Sequence, residues 1–116
     1  MIIRKQINTR MSGIVEHNNT IYFAGIVAHD LTLDMKGQAL DALKIAEETF
    51  KEAGITKHNL LRAEIFVKNI SRDFVDFNLI WDEWVSKENP PARACVEANM
   101  ASDDFLVEII FTAAKE

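Results

Sequence analysis

Three residues of this chain, Arg93, Cys95 and Glu108, have side chains suited to chemistry, and they lie in two stretches predicted to be β-strands. In residues 90–98, small apolar residues alternate with Arg93 and Cys95, so a pleated backbone sends the arginine and the thiol to the same face. In residues 105–110, Glu108 falls on the face opposite to the most apolar side chains. The spacing therefore predicts that an arginine, a thiol and a carboxylate converge.

Arg93 lies on a predicted strand that directly follows the Pro90-Pro91 pair, where a stiff backbone can aim its side chain. A planar guanidinium suits a carboxylate or a phosphate, because it donates two parallel hydrogen bonds to either group. Arg93 is therefore predicted to bind an anionic ligand. The alternative is a structural ion pair with Glu97 or Glu108, since such pairs are common in folded proteins.

Cys95 and Glu108 are the candidates for reacting groups. A nucleophilic thiol needs a histidine or a helix N-terminus beside it, and no histidine is near Cys95 in the sequence, so a buried apolar thiol is the preferred interpretation. Glu108 lies in an apolar run, where a carboxylate should be paired or hydrogen-bonded and could hold or protonate a water molecule. Glu97 competes for that role, and the strand periodicity does not decide between the two.

Composition excludes several classes of function. The 116 residues, 48% hydrophobic and 27% charged, fit a single domain spanning residues 1–116. A net charge of −5 disfavours nucleic-acid partners, since phosphate binding relies on clustered Lys and Arg. Without a signal peptide or a long apolar run, a cytoplasmic protein with no membrane contact is expected. Cys95 is the only cysteine and the three histidines lack the close spacing of metal ligands, so no metal or other cofactor is predicted.

The first half of the chain is predicted to form a hairpin and a helix. Residues 13–16 and 20–27 have the pattern of strands, and the polar residues 17–19 between them favour a turn. Asp34 is a candidate N-cap for the helix, and Gly54 is its candidate stop. The helix carries an apolar stripe at helical spacing: Ala39, Leu43, Ala46, Phe50 and Ala53.

The second half is predicted to contain a strand, a helix and the two strands of the candidate site. The core face of the strand is Leu61, Ala63, Ile65 and Val67. Ser71 is the predicted cap of the helix, which carries the aromatic stripe Phe74, Phe77, Trp81 and Trp84. An aromatic stripe at this spacing packs a helix onto a sheet far more often than it forms a cofactor site.

This order of elements predicts an α+β sandwich, with one mostly antiparallel sheet and two helices on one of its faces. The other face is expected to be bare, although Phe66, Cys95, Leu106 and Ile110 are predicted to place apolar groups on it. Exposed apolar faces usually bind a partner. A homo-oligomer is therefore predicted, with the charged residues near its subunit interfaces.

Several runs of the sequence resemble motifs of the RidA/YjgF family of reactive-intermediate deaminases. The most specific is Pro91-Ala92-Arg93-Ala94-Cys95-Val96-Glu97, which together with Val107-Glu108-Ile109 is similar to the last two strands of that family. Three further runs resemble the second strand, the central strand and the second helix of the family: Asn19 to Gly25, Ala63 to Asn69, and Asp76 to Trp81.

The resemblance implies a chorismate-mutase-like fold, a homotrimer and ligand sites in clefts between subunits. It also implies hydrolysis of reactive imines and enamines, such as 2-aminoacrylate, to 2-keto acids and ammonia without a cofactor. In that scheme Arg93 holds the substrate carboxylate, the Cys95 backbone helps to position water, and Glu108 holds or protonates this water. Gly25 and Asn78 would line the pocket.

The chain departs from the family pattern at two pocket positions. Active members usually carry a tyrosine in the N-terminal segment, where Met11 stands here, and Ala24 stands where serine is common. Met11 is therefore expected to contact the substrate in place of the tyrosine. The loss of two hydroxyl groups should alter substrate choice or weaken catalysis. The resemblance thus implies a divergent subgroup.

Three functions follow from these observations. The first is a deaminase that acts on small 2-imino acids. The second is a non-enzymatic module that binds a small carboxylate, such as a 2-keto acid, through Arg93, and such a module has no need for Glu108. The third is a ribonuclease or translation inhibitor, an activity attached to some members of the family, which the acidic net charge disfavours.

Overall fold

The computed structural model describes residues 1–116, in which two helices pack on one six-stranded sheet. In chain order the elements are β1 (Ile2–Ile7), β2 (Ser12–His17), β3 (Thr20–Phe23), α1 (Met35–Ala53), a short 3-10 helix (Lys57–Asn59), β4 (Leu60–Val67), α2 (Ile70–Trp84), β5 (Ala92–Glu97) and β6 (Val107–Ala114). The strand order is β1-β2-β3-β6-β4-β5, and only β4 and β5 are parallel. The predicted α+β architecture is confirmed.

The sheet begins with a strand that the sequence analysis did not predict. β1 pairs antiparallel with β2 over nearly its whole length and forms one edge of the sheet. Its apolar residues do not alternate between a buried and an exposed face, and Ile2, Ile3 and Ile7 are all exposed. The strand is formed by pairing with β2, and the periodicity of its own sequence carries no sign of it.

The predicted hairpin is confirmed, because β2 and β3 are antiparallel and joined at Asn18 and Asn19. Both asparagines have left-handed backbones, with φ of 51° and 63°, as a tight hairpin turn requires. The second strand is shorter than predicted and ends at Phe23. Beyond it the chain is irregular, apart from one isolated bridge between Ile26 and Ile109.

Helix α1 begins and ends at the predicted residues. The Asp34 side chain accepts a hydrogen bond from the Gly37 N–H at 3.0 Å, which caps the N-terminus. Gly54 ends the helix with φ of 80°, a conformation that costs glycine little. All five residues of the predicted stripe are buried. Neither α1 nor α2 combines the length and the apolar character that a membrane span needs.

Helix α2 begins earlier than predicted. Asn69 caps its N-terminus by accepting a hydrogen bond from the Arg72 N–H at 3.1 Å, and Ser71 lies inside the first turn, so the predicted Ser71 cap is wrong. Phe77 and Trp81 are buried against the sheet, whereas Phe74 is 37% exposed. The aromatic stripe therefore packs α2 onto the sheet through its middle.

The face of the sheet toward the helices carries the core. In β4, Ala63, Ile65 and Val67 are each at most 1% exposed, as their alternation predicts. A bulge at the start of the strand shifts the alternation there. Leu60 is consequently buried and Leu61 is 50% exposed, so the prediction of Leu61 as a core residue is wrong.

The face opposite the helices, called the open face below, is not covered by any element of the chain. Phe66 and Ile110 lie on it, as predicted, beside Val96 and Tyr22, which are 47% and 53% exposed. Glu64 and Thr112 lie on the same face. The open face is thus partly apolar.

Cys95 and Leu106 do not lie on the open face, contrary to the prediction. Both pack against the core under the helices. Cys95 pairs with Ile65 in the parallel β4–β5 register, and neighbouring residues in such a pair point to the same side. The Leu106 N–H donates a hydrogen bond to the buried Gln38 side chain of α1 at 3.0 Å, which holds the segment before β6 against the helix.

Candidate functional site

Arg93 lies on the edge strand β5, directed toward the helices. The crossover through α2 makes β5 parallel to β4 and pairs Arg93 with the buried Ala63. The guanidinium carbon of Arg93 lies 5.5 Å from the centre of the Trp81 ring and 6.0 Å from the centre of the Phe77 ring. Arg93 is partly buried, and it takes part in none of the four ion pairs of the structure.

The predicted alternative for Arg93, an ion pair with Glu97 or Glu108, is therefore not formed within the chain. Glu97 has another partner, because its carboxylate accepts a hydrogen bond from the Ile70 N–H at 3.0 Å at the start of α2. A helix N-terminus is a favourable place for a carboxylate. Glu97 therefore stabilises the N-terminus of α2, and Glu108 remains the candidate carboxylate for chemistry.

Cys95 shares the face of Arg93, as their spacing predicts. Burial raises the pKa of the Cys95 thiol above its ordinary value of 9.0, and the nearby positive charge of Arg93 only partly opposes this effect. The thiol is consequently protonated at neutral pH. A protonated thiol is a weak nucleophile, which agrees with its interpretation as a partly buried apolar group.

Glu108 lies on the open face, so the predicted convergence of Arg93, Cys95 and Glu108 within one chain is wrong. In the sheet, Ile65 is paired with both Cys95 and Ile109, which places those two residues on the helix side and Glu108 on the other. β6 and β5 are also separated by β4, a distance of about 9–10 Å between strand axes. One chain therefore carries two separate groups of candidate residues, which we call the clamp half-site (Arg93 and Cys95 with Phe77 and Trp81) and the carboxylate half-site (Glu108 and Gly25).

The carboxylate half-site is defined by a close contact between Glu108 and Gly25. A Cβ atom added to Gly25 would lie 2.8 Å from Cδ and 3.1 Å from Cγ of Glu108, so the carboxyl group occupies the space where any larger residue would place its side chain. Glu108 also lines a shallow pocket on the open face, with Phe66, Ile110 and the segment 98–101. The carboxylate thus lies at the border of a depression, with glycine backbone beside it.

Gly25 borders a second cleft, of about 220 Å³, between the start of the sheet and α1. Met11, which is 51% exposed, also lines this cleft, so the structure brings Met11 and Gly25 together. Their predicted contact with substrate stays a prediction. The cleft is also lined by polar residues that no sequence motif indicated, including Gln6, Asn8, His29 and Thr49. Gln6 and Asn8 belong to β1 and the loop after it, so recognition of β1 would have indicated them.

Asn78 lies on α2 and belongs to neither cleft. Its side-chain oxygen Oδ1 is buried and has no hydrogen-bond partner within the chain. A buried amide oxygen without a partner is unusual in a folded protein, so a donor from outside the chain would satisfy it. Its predicted place in a substrate pocket stays a prediction. No group of three or more His, Cys, Asp or Glu side chains is arranged to hold a metal ion.

Comparison with known proteins gives consistent matches over the whole chain. The family model described as Endoribonuclease L-PSP matches residues 4–115. A RutC family protein of Haemophilus influenzae is 37% identical over 108 residues, which cover 91% of each chain. The crystal structure of a YjgF family member from Neisseria meningitidis superposes with a TM-score of 0.96 at 33% identity, over 100% of this chain and 96% of the other. A putative translation initiation inhibitor from Salmonella typhimurium gives a TM-score of 0.89 at 31% identity, over 98% and 97% of the two chains.

Proposed function

Because this chain belongs to the family of YjgF and RutC proteins, we propose that it hydrolyses small 2-imino and enamine acids to 2-keto acids and ammonia. The observation that carries the proposal is the state of Arg93. The guanidinium of Arg93 is partly buried and makes no ion pair within the chain, so its hydrogen-bond donors remain free for an anion from outside the chain. A small carboxylic acid is the anion that fits its planar fork.

The proposed active site lies between subunits. Arg93 and Glu108 point to opposite faces of one sheet, so a substrate as small as an imino acid of three or four carbons can touch both groups only if they come from different chains. The partly apolar open face, with Phe66, Val96 and Tyr22, supports the association of a second copy of the chain. A homotrimer is the expected assembly, in which the clamp half-site of one subunit meets the carboxylate half-site of its neighbour.

The chemistry required at such a site is modest, because imino acids already hydrolyse in water. Arg93 would bind the substrate carboxylate through two hydrogen bonds and thereby fix the orientation of the C=N carbon. Glu108 would accept a proton as a water oxygen attacks that carbon and would return it to the nitrogen, which gives a carbinolamine. The same carboxylate would then carry the hydroxyl proton of the carbinolamine to the nitrogen, so that the C–N bond breaks, ammonia leaves and the keto group forms. The product is a 2-keto acid, and no electrons are exchanged.

A coupled assay tests this proposal. Threonine dehydratase generates the imino acid of 2-ketobutyrate, and the rate of keto-acid formation is followed with and without the protein. Wild type should accelerate hydrolysis, whereas Arg93→Ala should lose at least tenfold in kcat/KM. Lys36→Ala, which removes an exposed cation from α1 on the opposite side of the sheet from the open face, is the control and should behave as wild type. Equal rates with wild type, with Arg93→Ala and in buffer would disprove the deaminase.

A binding module for 2-keto acids is the second candidate, and the observation that favours it is the apolar Met11 in the cleft beside Gly25. The two candidates separate at Glu108, because binding through Arg93 needs no carboxylate across the interface. For a deaminase, Glu108→Gln should lower kcat by about 10²–10⁴ with little change in the affinity for 2-ketobutyrate. For a binding module, wild type itself should show no acceleration and should still bind the keto acid.

The names of some relatives raise a third possibility, since the family model is described as an endoribonuclease and the Salmonella protein as a putative translation initiation inhibitor. The net charge of −5 speaks against RNA as a partner. RNA binding whose affinity falls steeply with salt concentration would overturn this ranking.

A further inference from the structure

The guanidinium of Arg93 lies over a stack of three aromatic rings. Trp81 is stacked between Phe77, at 6.0 Å and 27°, and Phe111, at 6.3 Å and 10° between ring planes. Phe77, Trp81 and Phe111 are all at most 4% exposed, so the stack cannot rearrange without disturbing the core. We call these three residues the aromatic shelf.

The shelf is the principal electrostatic partner of Arg93 within the chain. Both ring centres near its guanidinium carbon lie within the 6 Å range in which the negative face of a ring attracts a cation. Arg93 on β5 pairs with Ala63 on β4, and the small side chain of Ala63 leaves room for the arginine between the sheet and α2. Cys95 adds no charge there, because its thiol stays protonated at neutral pH.

We propose that Trp81, supported by Phe77, is a positioning residue for Arg93: the shelf holds the guanidinium in place and leaves its hydrogen-bonding edge free for the ligand carboxylate. This inference rests on the proposed function, since it assumes that Arg93 binds a carboxylate. It explains how an arginine can remain without a carboxylate partner in the free protein. It also requires an arginine, because a lysine at position 93 would lack the planar group that stacks on a ring.

The test measures the affinity for one probe, 2-ketobutyrate, by calorimetry on the assembled protein. Trp81→Leu should weaken binding by about 3- to 30-fold, the range expected for loss of a partly desolvated cation–ring contact. Trp81→Phe keeps a ring under Arg93 and should remain within about threefold of wild type. Trp81→Leu should also raise KM with little change in kcat, because the shelf acts on binding, whereas Trp81→Phe should leave both close to wild type.

The matched control is Trp84→Leu, which removes the other tryptophan of α2. Trp84 belongs to the same aromatic cluster, but the cation it faces is Lys57 at 5.4 Å. A general loss of packing would weaken both variants equally and would overturn the inference. Retention of full affinity in Trp81→Leu would also overturn it. Failure of the proposed function looks different: wild type would then not accelerate imine hydrolysis, and if Arg93 is not the carboxylate site, Arg93→Ala would bind 2-ketobutyrate as wild type does.

A second measurement does not depend on the folding of Trp81→Leu. The chain has only two tryptophans, so Trp84→Phe leaves Trp81 as the sole tryptophan whose emission is selectively excited, and Trp81→Phe leaves Trp84. A carboxylate bound to Arg93 neutralises the cation above the Trp81 ring, so 2-ketobutyrate should change the emission of Trp84→Phe and leave that of Trp81→Phe unchanged. Calorimetric binding with no emission change in Trp84→Phe would refute the contact.

Discussion

Replacement of Gly25 by alanine should abolish most of the activity while leaving the fold almost intact. The added Cβ would lie 2.8 Å from Glu108 Cδ, whereas an ordinary contact begins at 3.4 Å, so the carboxyl group must move by about 0.6 Å or more. Gly25 does not have the positive φ that would strain an alanine. The obstacle is therefore the end of a flexible side chain, and a changed Glu108 rotamer costs about 0.5–1.5 kcal/mol.

The effect on catalysis should be much larger than the effect on stability. A displacement approaching 1 Å at a reacting group can reduce the rate by about 10²-fold. We therefore expect Gly25→Ala to lose about 10²-fold in kcat in the coupled imine assay, with a loss of unfolding free energy below about 1.5 kcal/mol, which corresponds to a few degrees in Tm. Chemical denaturation of the same samples measures the loss of unfolding free energy.

A double-mutant cycle distinguishes this explanation from a general disturbance. Gly25→Ala and Glu108→Gln act on the same carboxylate, so the double variant should be no slower than the slower single variant. The control is Gly37→Ala in α1, whose added Cβ would approach Leu33 Cβ at 2.8 Å, and which should keep wild-type activity. Full activity in Gly25→Ala, or strictly additive losses in the double variant, would refute the assigned role of this contact.

Three further predictions concern stability. Gln38→Leu should lose about 2–4 kcal/mol in urea denaturation, because it leaves one buried N–H and two carbonyl groups without the partners they have at 3.0–3.2 Å; a loss below 0.5 kcal/mol would contradict this. The raised pKa of Cys95 makes its contribution to stability complete below pH 9.0 and reduces it as the pH rises further. The advantage of wild type over Cys95→Ala, measured by urea denaturation, should therefore shrink as the pH rises above 9.0, and a constant difference would count against it. Hydrogen bonds from the Asp30 and His29 N–H groups lower the pKa of Asp41 below 3.8, so its stabilisation is present above that pH and is lost as the pH falls. Asp41→Asn should accordingly differ most from wild type at neutral pH and least in acid denaturation, and a difference that grows toward pH 3 would exclude this cause.

The parts of the fold that follow from short-range physics could be predicted from the sequence. Asp34 and Gly54 define α1 because capping and left-handed backbone depend on single residues. The Asn18-Asn19 hairpin is similarly local. β1 could not be predicted, because an exposed edge strand needs no apolar alternation and is formed by its pairing with β2.

In the candidate site, too, local features could be predicted from the sequence and features set by strand pairing could not. The common face of Arg93 and Cys95 follows from the pleat of one strand. The relation between Arg93 and Glu108 depends on how β4 is aligned with both β5 and β6, and that register is a property of the folded sheet. Periodicity also identified Trp81 as a core residue, but it could not show that the same ring faces Arg93.

The placement of Arg93 and Glu108 on opposite faces has a genetic consequence on the proposed arrangement. An Arg93→Ala chain and a Glu108→Gln chain are each inactive alone, yet each retains the half that the other lacks. Co-expressed in equal amounts and assembled at random, they would form one intact site in roughly every four. Two defective alleles would then complement each other, and a single defective allele would inactivate sites that a healthy copy helps to build.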